Sequence, residues 1–496
     1  MPGFIFPKQK DIFSDGLRHR EILLSTFSPN AAGSGTRTEW DSMGSVEVDA
    51  RHWWGAQTER SLQHFSISSE RIPEALIVAL AQVKRACGLV NRDLGKLSES
   101  KAIAIVLAAE EIIAGQWFSE FPLSVWQTGS GTQTNMNMNE VLANRGSVLM
   151  GGGAGKDRVL HPNDDVNMGQ SSNDVFPTAM HLAIAIATDH QLLPALHQLR
   201  STLEYRIIEF SDIIKIGRTH LQDATPLSLG QEFSAYADQL RIAEHSLTTS
   251  LPGILSLAIG GTAVGTGLNT SIEFGPRVAT VLSGLGNLTF VSASNKFAAL
   301  ASHEALYASH AALKTLACAL LKIANDLRWL ASGPRCGLAE IQLPDNEPGS
   351  SIMPGKVNPT QSEALMMACY QVFANDVAIT ASTGLSNFEL HVGKPLIAHA
   401  HLQSLRLLAD GMRSFERYAI RGLTVNKDRL QQQLNASLML VTALVPHIGY
   451  DSAARIVHHA HENNISLQES AQILESISED DFQRWVNPAA MILPDS

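Results

Sequence analysis

From His303 to Ala331 apolar residues recur at three- and four-residue spacing, and only Glu304, Lys314, Lys322, Asp326 and Arg328 carry charge. Such spacing predicts one long helix. Five charges cannot make a broad solvent face on a helix of this length, so most of its circumference must be covered by other helices. Five more stretches carry the same period with few breakers: Leu76 to Leu94, Pro177 to Phe210, Leu227 to Leu251, Pro359 to Thr383 and Pro395 to Gly422. Pro194 should kink or interrupt the second of these, because it lacks a backbone donor and clashes with the preceding turn. Strand signals are scarce, which argues against a parallel sheet. A mainly α protein built on a helical bundle is expected, with a core that could be shared between subunits.

At 496 residues the chain is long enough for about three domains and a large core. The net charge of −11 and a pI near 5.9 argue against nucleic acid or an anionic membrane as partner. An anionic substrate would therefore be drawn by a local cluster of donors. Cys87, Cys318, Cys336 and Cys369 are scattered without a CxxC pair, so neither a zinc site nor a disulfide framework is indicated and a reducing cytoplasm fits. No uninterrupted apolar run reaches the length of a membrane span of about 18 residues. Residues 1–38 read as an irregular extension: Phe4, Ile5, Phe6, Pro7, Gly16, Pro29, Gly33 and Gly35 break any helical period, and Asp11, Asp15 and Glu21 spoil the acid-poor pattern of an organellar transit peptide. The cytoplasm is accordingly expected rather than the mitochondrial matrix.

The most informative short segment is Gly349 to Pro359, GSSIMPGKVNP. Gly349 and Gly355 free the backbone to bend and to aim N–H groups at a ligand, Ser350 and Ser351 add hydroxyls, and Lys356 adds a mobile cation. Asn358, Pro359 and Gln361 read as an N-cap, a first helical residue and a capping-box partner, which would turn the positive end of a helix toward the loop. The segment is suited to holding an anion. Two glycine-rich stretches are not nucleotide loops. In GGGAGKD, Met150 stands five before Gly155 and Asp157 follows Lys156; in GGTAVGTGLN, Thr266 stands where a lysine is needed.

Gly349 to Pro359 resembles the signature of the fumarase/aspartase superfamily of lyases, which act on substrates with a fumarate skeleton. TGSGTQTNMNMNEVLANR from Thr128, HPNDDVNMGQSSNDVFPT from His161 and GRTHLQDATPLSLGQEF from Gly217 resemble its other active-site segments, and the similarity runs from about Glu39 almost to the C-terminus. The resemblance implies a three-domain lyase fold beyond the 1–38 extension: an N-terminal domain over 39–169, a long central helical bundle over 170–424 and a small helical domain over 425–496. It implies that the central helices of four subunits form one bundle in a homotetramer. It further implies Ser350 as the base that removes a carbon-bound proton, His220 as the acid/base for water, and Glu363 as the partner that strengthens His220. The substrate would be held by Ser130, Gly131, Thr132, Asn135, Ser171, Ser172, Asn173, Thr219, Ser351, Lys356 and Asn358. Arg158, His161, Asn163 and Asp164 would form a second anion site, for which a plain helix-start turn at HPND is an equal reading.

Those residue types suit the chemistry. Removing a proton beside a carboxylate drives two negative charges onto one carboxyl group, which only preorganised donors make accessible. A serine acts as such a base only where dense donors and positive charge favour its alkoxide, and a histidine can pass a proton both ways near neutral pH. The spacing shows no HExxH or other metal signature, and neither a metal nor a cofactor is expected. Reversible hydration of fumarate to L-malate through an aci-carboxylate intermediate is the leading reading. An aspartate ammonia-lyase shares GSSIMP, KVNP and SSND, but such enzymes carry glutamine in place of His220 and a histidine in place of Asp165; Thr360, Gln361 and Glu363 also point to the hydratase. A structural homologue without activity is the third reading, set against the presence of Ser350, His220, Lys356 and Asn358. Gly393, before Lys394, departs from the bulky aromatic usual there.

Overall fold

The computed structural model describes residues 35–284 and 287–494, so most of the expected 1–38 extension lies outside the described residues. They group into two compact units, each assembled from separate stretches of chain. One takes residues up to 187 together with 251–309 and 377–403; the other takes 188–250, 310–376 and 404–496. Strands among the described residues occur only as five two-stranded pairings, in line with the scarce strand signals.

In the first unit the helix Glu74–Asp93 is central. Leu76, Ile77, Leu80, Val83, Cys87 and Val90 recur at helical spacing and are buried, against the helices Glu99–Ile113, Ser172–Ala187 and Phe274–Ser283. Ser172–Ala187 buries Val175, Phe176, Ala179, Met180, Leu182 and Ile184, so it is apolar on nearly every side and is enclosed accordingly. The helix Thr132–Leu149 packs on both Glu99–Ile113 and Ser172–Ala187.

The second unit contains the antiparallel hairpin Ile214–Thr219 with Gln222–Ser228. Ile216 of that hairpin joins a core with Leu440, Leu444, Ile456, Ala460, Leu467 and Ala471 from the C-terminal helices. One of these, Leu467–Glu475, starts with a complete capping box between Ser466 and Glu469. The interruption expected at Pro194 is present: a wide turn over Thr188–Leu192 separates Ser172–Ala187 from Leu193–Glu209, and Pro194 sits in the first turn of the new helix, where its missing N–H costs least.

The long helices include Glu304–Leu330, Thr360–Ala381 and Lys394–Phe415. Met367, Tyr370, Ala374 and Val377 of Thr360–Ala381 follow a three-four-three spacing and are exposed, Met367 by 66 % and Val377 by 69 %. The segment Thr360–Leu385 contains an 18-residue window of mean hydropathy 1.2, 33 % of it buried, and so is long and apolar enough to cross a membrane by length and composition alone, a test that core helices also meet.

Candidate active site

The 349–359 loop is closed on itself. Gly349 N–H donates to the Lys356 carbonyl at 2.8 Å, and the Asn358 amide donates to the Gly349 carbonyl at 2.7 Å. Only glycine allows this approach, since a Cβ on residue 349 would stand 2.6 Å from the Lys356 oxygen. Within the loop Ser350 Oγ accepts from the backbone N–H groups of Met353 at 3.0 Å and Ile352 at 3.3 Å. Two donors aimed at one hydroxyl oxygen favour its deprotonated form. Ser350 is half-buried, whereas Ser351, Ile352, Met353 and Lys356 are exposed.

The expected capping box is absent. The helix begins at Thr360, the Asn358 side chain closes the loop, and the Gln361 side chain accepts from Ser414 Oγ at 2.7 Å. Asn358 stands two residues before the first helical residue, and its amide N–H serves the loop.

Thr219 and His220 lie at the tip of the Ile214–Thr219 hairpin. Thr219 pairs with Gln222, leaving His220 and Leu221 as a two-residue turn with φ of 55° and 60°. Both are exposed. Beneath the tip, buried Lys215 pairs with Glu232 at 2.9 Å and with Glu340 at 3.0 Å, and Arg218 pairs with Glu340 at 2.6 Å. Glu363 is exposed in the first turn of Thr360–Ala381. Among the described residues no hydrogen bond or ion pair joins it to His220.

The first unit holds the other candidate residues. Ser130 and Thr132 hydroxyls lie 2.9 Å apart, and Thr132 reaches Ser172 Oγ at 2.7 Å, so three short donors form one chain. Gly131 makes this turn possible with φ of 76°, and a Cβ there would strike the Phe176 ring. Gly129 meets the Val392 backbone so closely that a Cβ would lie 1.5 Å from its carbonyl oxygen. A cleft of about 560 Å³ is lined in part by Asn135, Asn163, Asp164, Ser171, Ser172 and Thr262. Asn173 N–H donates to Ser171 Oγ at 3.1 Å, and the Asn173 amide donates to the Ala263 carbonyl at 2.8 Å, fixing the loop at the start of the helix.

Two buried groups behind this cleft escaped the sequence reading. Asp174 accepts backbone N–H from Ser171, Gly260 and Thr262, each at 2.9 Å, and so ties the SSND segment to the second glycine-rich stretch. Burial pushes its carboxyl up to about 6 despite those three donors. Lys84 donates to Asn167 at 2.8 Å and Gln170 at 2.9 Å, and Asn167 Oδ1 also accepts from Asn135 at 3.2 Å. Burial lowers Lys84 to about 7. Asp174 lay in plain view within SSND; Lys84, on an apolar helix, gave no signal.

Of the second anion group, His161 caps a short helical turn through Nδ1, which accepts from Asn163 and Asp164 N–H at 3.3 and 3.1 Å. With Nδ1 accepting, the Asp164 carboxylate 3.2 Å away is a neighbour rather than a hydrogen-bond partner unless the ring is protonated. The Arg158 guanidinium pairs with fully buried Glu39 at 3.1 Å.

Comparison with known proteins extends over the same ground. The lyase family model matches residues 44–374 and the fumarase C C-terminus model matches residues 440–493. The chain is 59 % identical over 456 residues to a class II fumarate hydratase of Chromobacterium violaceum, covering 92 % of this chain and 99 % of that one. It is 60 % identical over 455 residues to one from Nitrosomonas europaea, covering 92 % of this chain and 98 % of that protein. The crystal structure of a class II fumarase from Schistosoma mansoni superposes with a TM-score of 0.91 at 45 % identity, over 93 % of this chain and all of that one.

Proposed function

The chain belongs to the fumarase family of lyases, and from that footing we propose that it catalyses the reversible hydration of fumarate to L-malate through its own Ser350 and His220. The observation that carries this reading is the pair of backbone N–H groups on Ser350 Oγ inside a loop closed by Gly349 and Asn358.

In the direction of dehydration, the Ser350 alkoxide takes the proton from the malate carbon beside one carboxylate. The electron pair moves into that carboxylate and gives an aci-carboxylate with two negative charges. Lys356, Asn358 and the Ser351 hydroxyl are suited to meet that charge. His220 gives a proton to the departing hydroxyl, water leaves and the carbon–carbon double bond forms. The Ser130, Gly131, Thr132, Asn135, Ser171–Asn173 and Thr219 donors hold the carboxylates as neutral partners. Neither metal nor cofactor enters these steps. Glu363 is assigned as partner of His220, and His161, Asn163 and Asp164 as a secondary anion spot beside the cleft, with Arg158 held by Glu39.

The active form in this reading is a homotetramer acting on small dicarboxylates in the cytoplasm, with each site drawing residues from more than one subunit. The exposed heptad-like stripe Met367, Tyr370, Ala374 and Val377 supports it, because such a stripe suits packing against a further helix. The test is the absorbance of the fumarate band after addition of L-malate, and separately of L-aspartate. Fumarate should appear from malate alone; release of ammonia from aspartate would assign the chain to the ammonia-lyases instead.

A further inference from the structure

Three lysines of the first unit, two of them fully buried, share one carboxylate. Lys84, Lys296 and Lys394 all lie within Coulombic reach of Asp174, whose oxygens already accept three backbone N–H groups. Lys84 has Asn167 and Gln170, and Lys296 donates to the Leu257 carbonyl at 2.8 Å and Ser292 Oγ at 2.7 Å. Lys394 is different. It is 0 % exposed, and its Nζ has no hydrogen-bond partner among the described residues. Its backbone N–H is committed to the Gly129 carbonyl at 3.0 Å, which fixes the residue directly behind the turn that carries Ser130.

Imidazoles stand beside it. His303 is 2 % exposed and neither of its ring nitrogens has a partner among the described residues. Its ring centroid lies 5.0 Å from that of His391, and the Lys394 charge acts on both rings. His391 itself is satisfied. Its Nδ1 accepts from Gly393 N–H at 3.0 Å, so its proton resides on Nε2 and is donated to the Tyr307 oxygen at 3.0 Å. Gly393 leaves room for that ring, since a Cβ there would lie 2.9 Å from His391 Cε1. The carboxylate acting on His391, Glu304, is exposed and accepts from Ser302.

The unmet groups are therefore the three N–H bonds of Lys394 and one N–H of His303, against a single acceptor on the second His303 nitrogen. A water molecule would add two more hydrogens in need of acceptors. An anion accepts from every donor and offsets the ammonium that Asp174 shares with two other lysines.

We propose that Lys394 and His303, walled by His391, form a buried pocket for one small inorganic monoanion of the halide class. Burial alone would lower the Lys394 ammonium, to about 7, and a bound anion holds it charged.

The test uses the full chain in gluconate buffer, with chloride or bromide replacing gluconate at constant ionic strength. The unfolding midpoint should rise by several degrees and saturate with either halide, and Lys394→Met and His303→Phe should each abolish the rise. Crystals grown in bromide should show an anomalous peak at hydrogen-bond distance from both Lys394 Nζ and a His303 nitrogen. A midpoint indifferent to halide, variants that keep the full response, or a pocket without an anomalous peak would each overturn the proposal. If neither variant folds, the diffraction result decides alone.

Discussion

His220 and Leu221 form the whole of a two-residue hairpin turn in which both residues hold left-handed backbone, with φ of 55° and 60°. Asn-Gly is the pair such a turn favours, and a left-handed residue with a side chain costs about 1–2 kcal/mol. The cost is borne at the residue assigned to proton transfer, with Lys215, Arg218, Glu232 and Glu340 bracing the strands beneath. Strain held in place by its surroundings is characteristic of positions that present a group for function.

Leu221→Gly should therefore separate stability from turnover. Glycine relieves the left-handed strain and adds about 0.5–1 kcal/mol of unfolded-state freedom, so urea unfolding should show stability unchanged or slightly higher. The freed tip should lower kcat several-fold. Unchanged kcat would mean that the Leu221 conformation does not serve His220.

A pH dependence follows from Lys84. Burial depresses it to about 7 in the folded chain, whereas an unfolded lysine titrates near about 10.4. Between those values the unfolded chain binds the extra proton, so the contribution of Lys84 to stability rises with pH through that window and is least favourable below about pH 7. The stability of the native chain relative to Lys84→Met should thus improve from about pH 7 to about pH 9, by at most about 1.4 kcal/mol per unit. A difference that stays flat in denaturant titrations would show that Lys84 is not held as a depressed ammonium.

The proposed sharing of each site between subunits is testable by complementation. Ser350→Ala and His220→Asn should each be inactive, yet random co-assembly of the two in equal amounts should leave about a quarter of sites with both groups intact. Differentially tagged mixed assemblies should therefore regain activity. Mixed assemblies as inactive as their parents would place both residues of each site on one chain.

Much of this was legible in the chain itself. Helical periods located the long helices, Pro194 marked a real interruption, and the GSSIMPGKVNP segment bends back on itself at Gly349, as its glycines suggested. The helix start after Asn358 is not legible from short-range capping rules, because the helix begins only at Thr360 and the Asn358 amide N–H reaches back to Gly349. Lys84 and Lys394 were missed for another reason. Burial of a helical lysine leaves no mark in the sequence, and only the packed structure shows which ammonium has partners. Asp174 was visible, but its hold on Gly260 and Thr262 spans a long stretch of chain.

The central claim is that Ser350, activated by the N–H groups of Ile352 and Met353, takes the carbon-bound proton. The measurement that reaches it most directly is the steady-state rate of fumarate formation from L-malate by Ser350→Ala. Loss of the base should cut kcat by about 100-fold or more, while KM stays within a few-fold because the carboxylate donors remain. A variant with near-native kcat would contradict the assignment of Ser350 as the base.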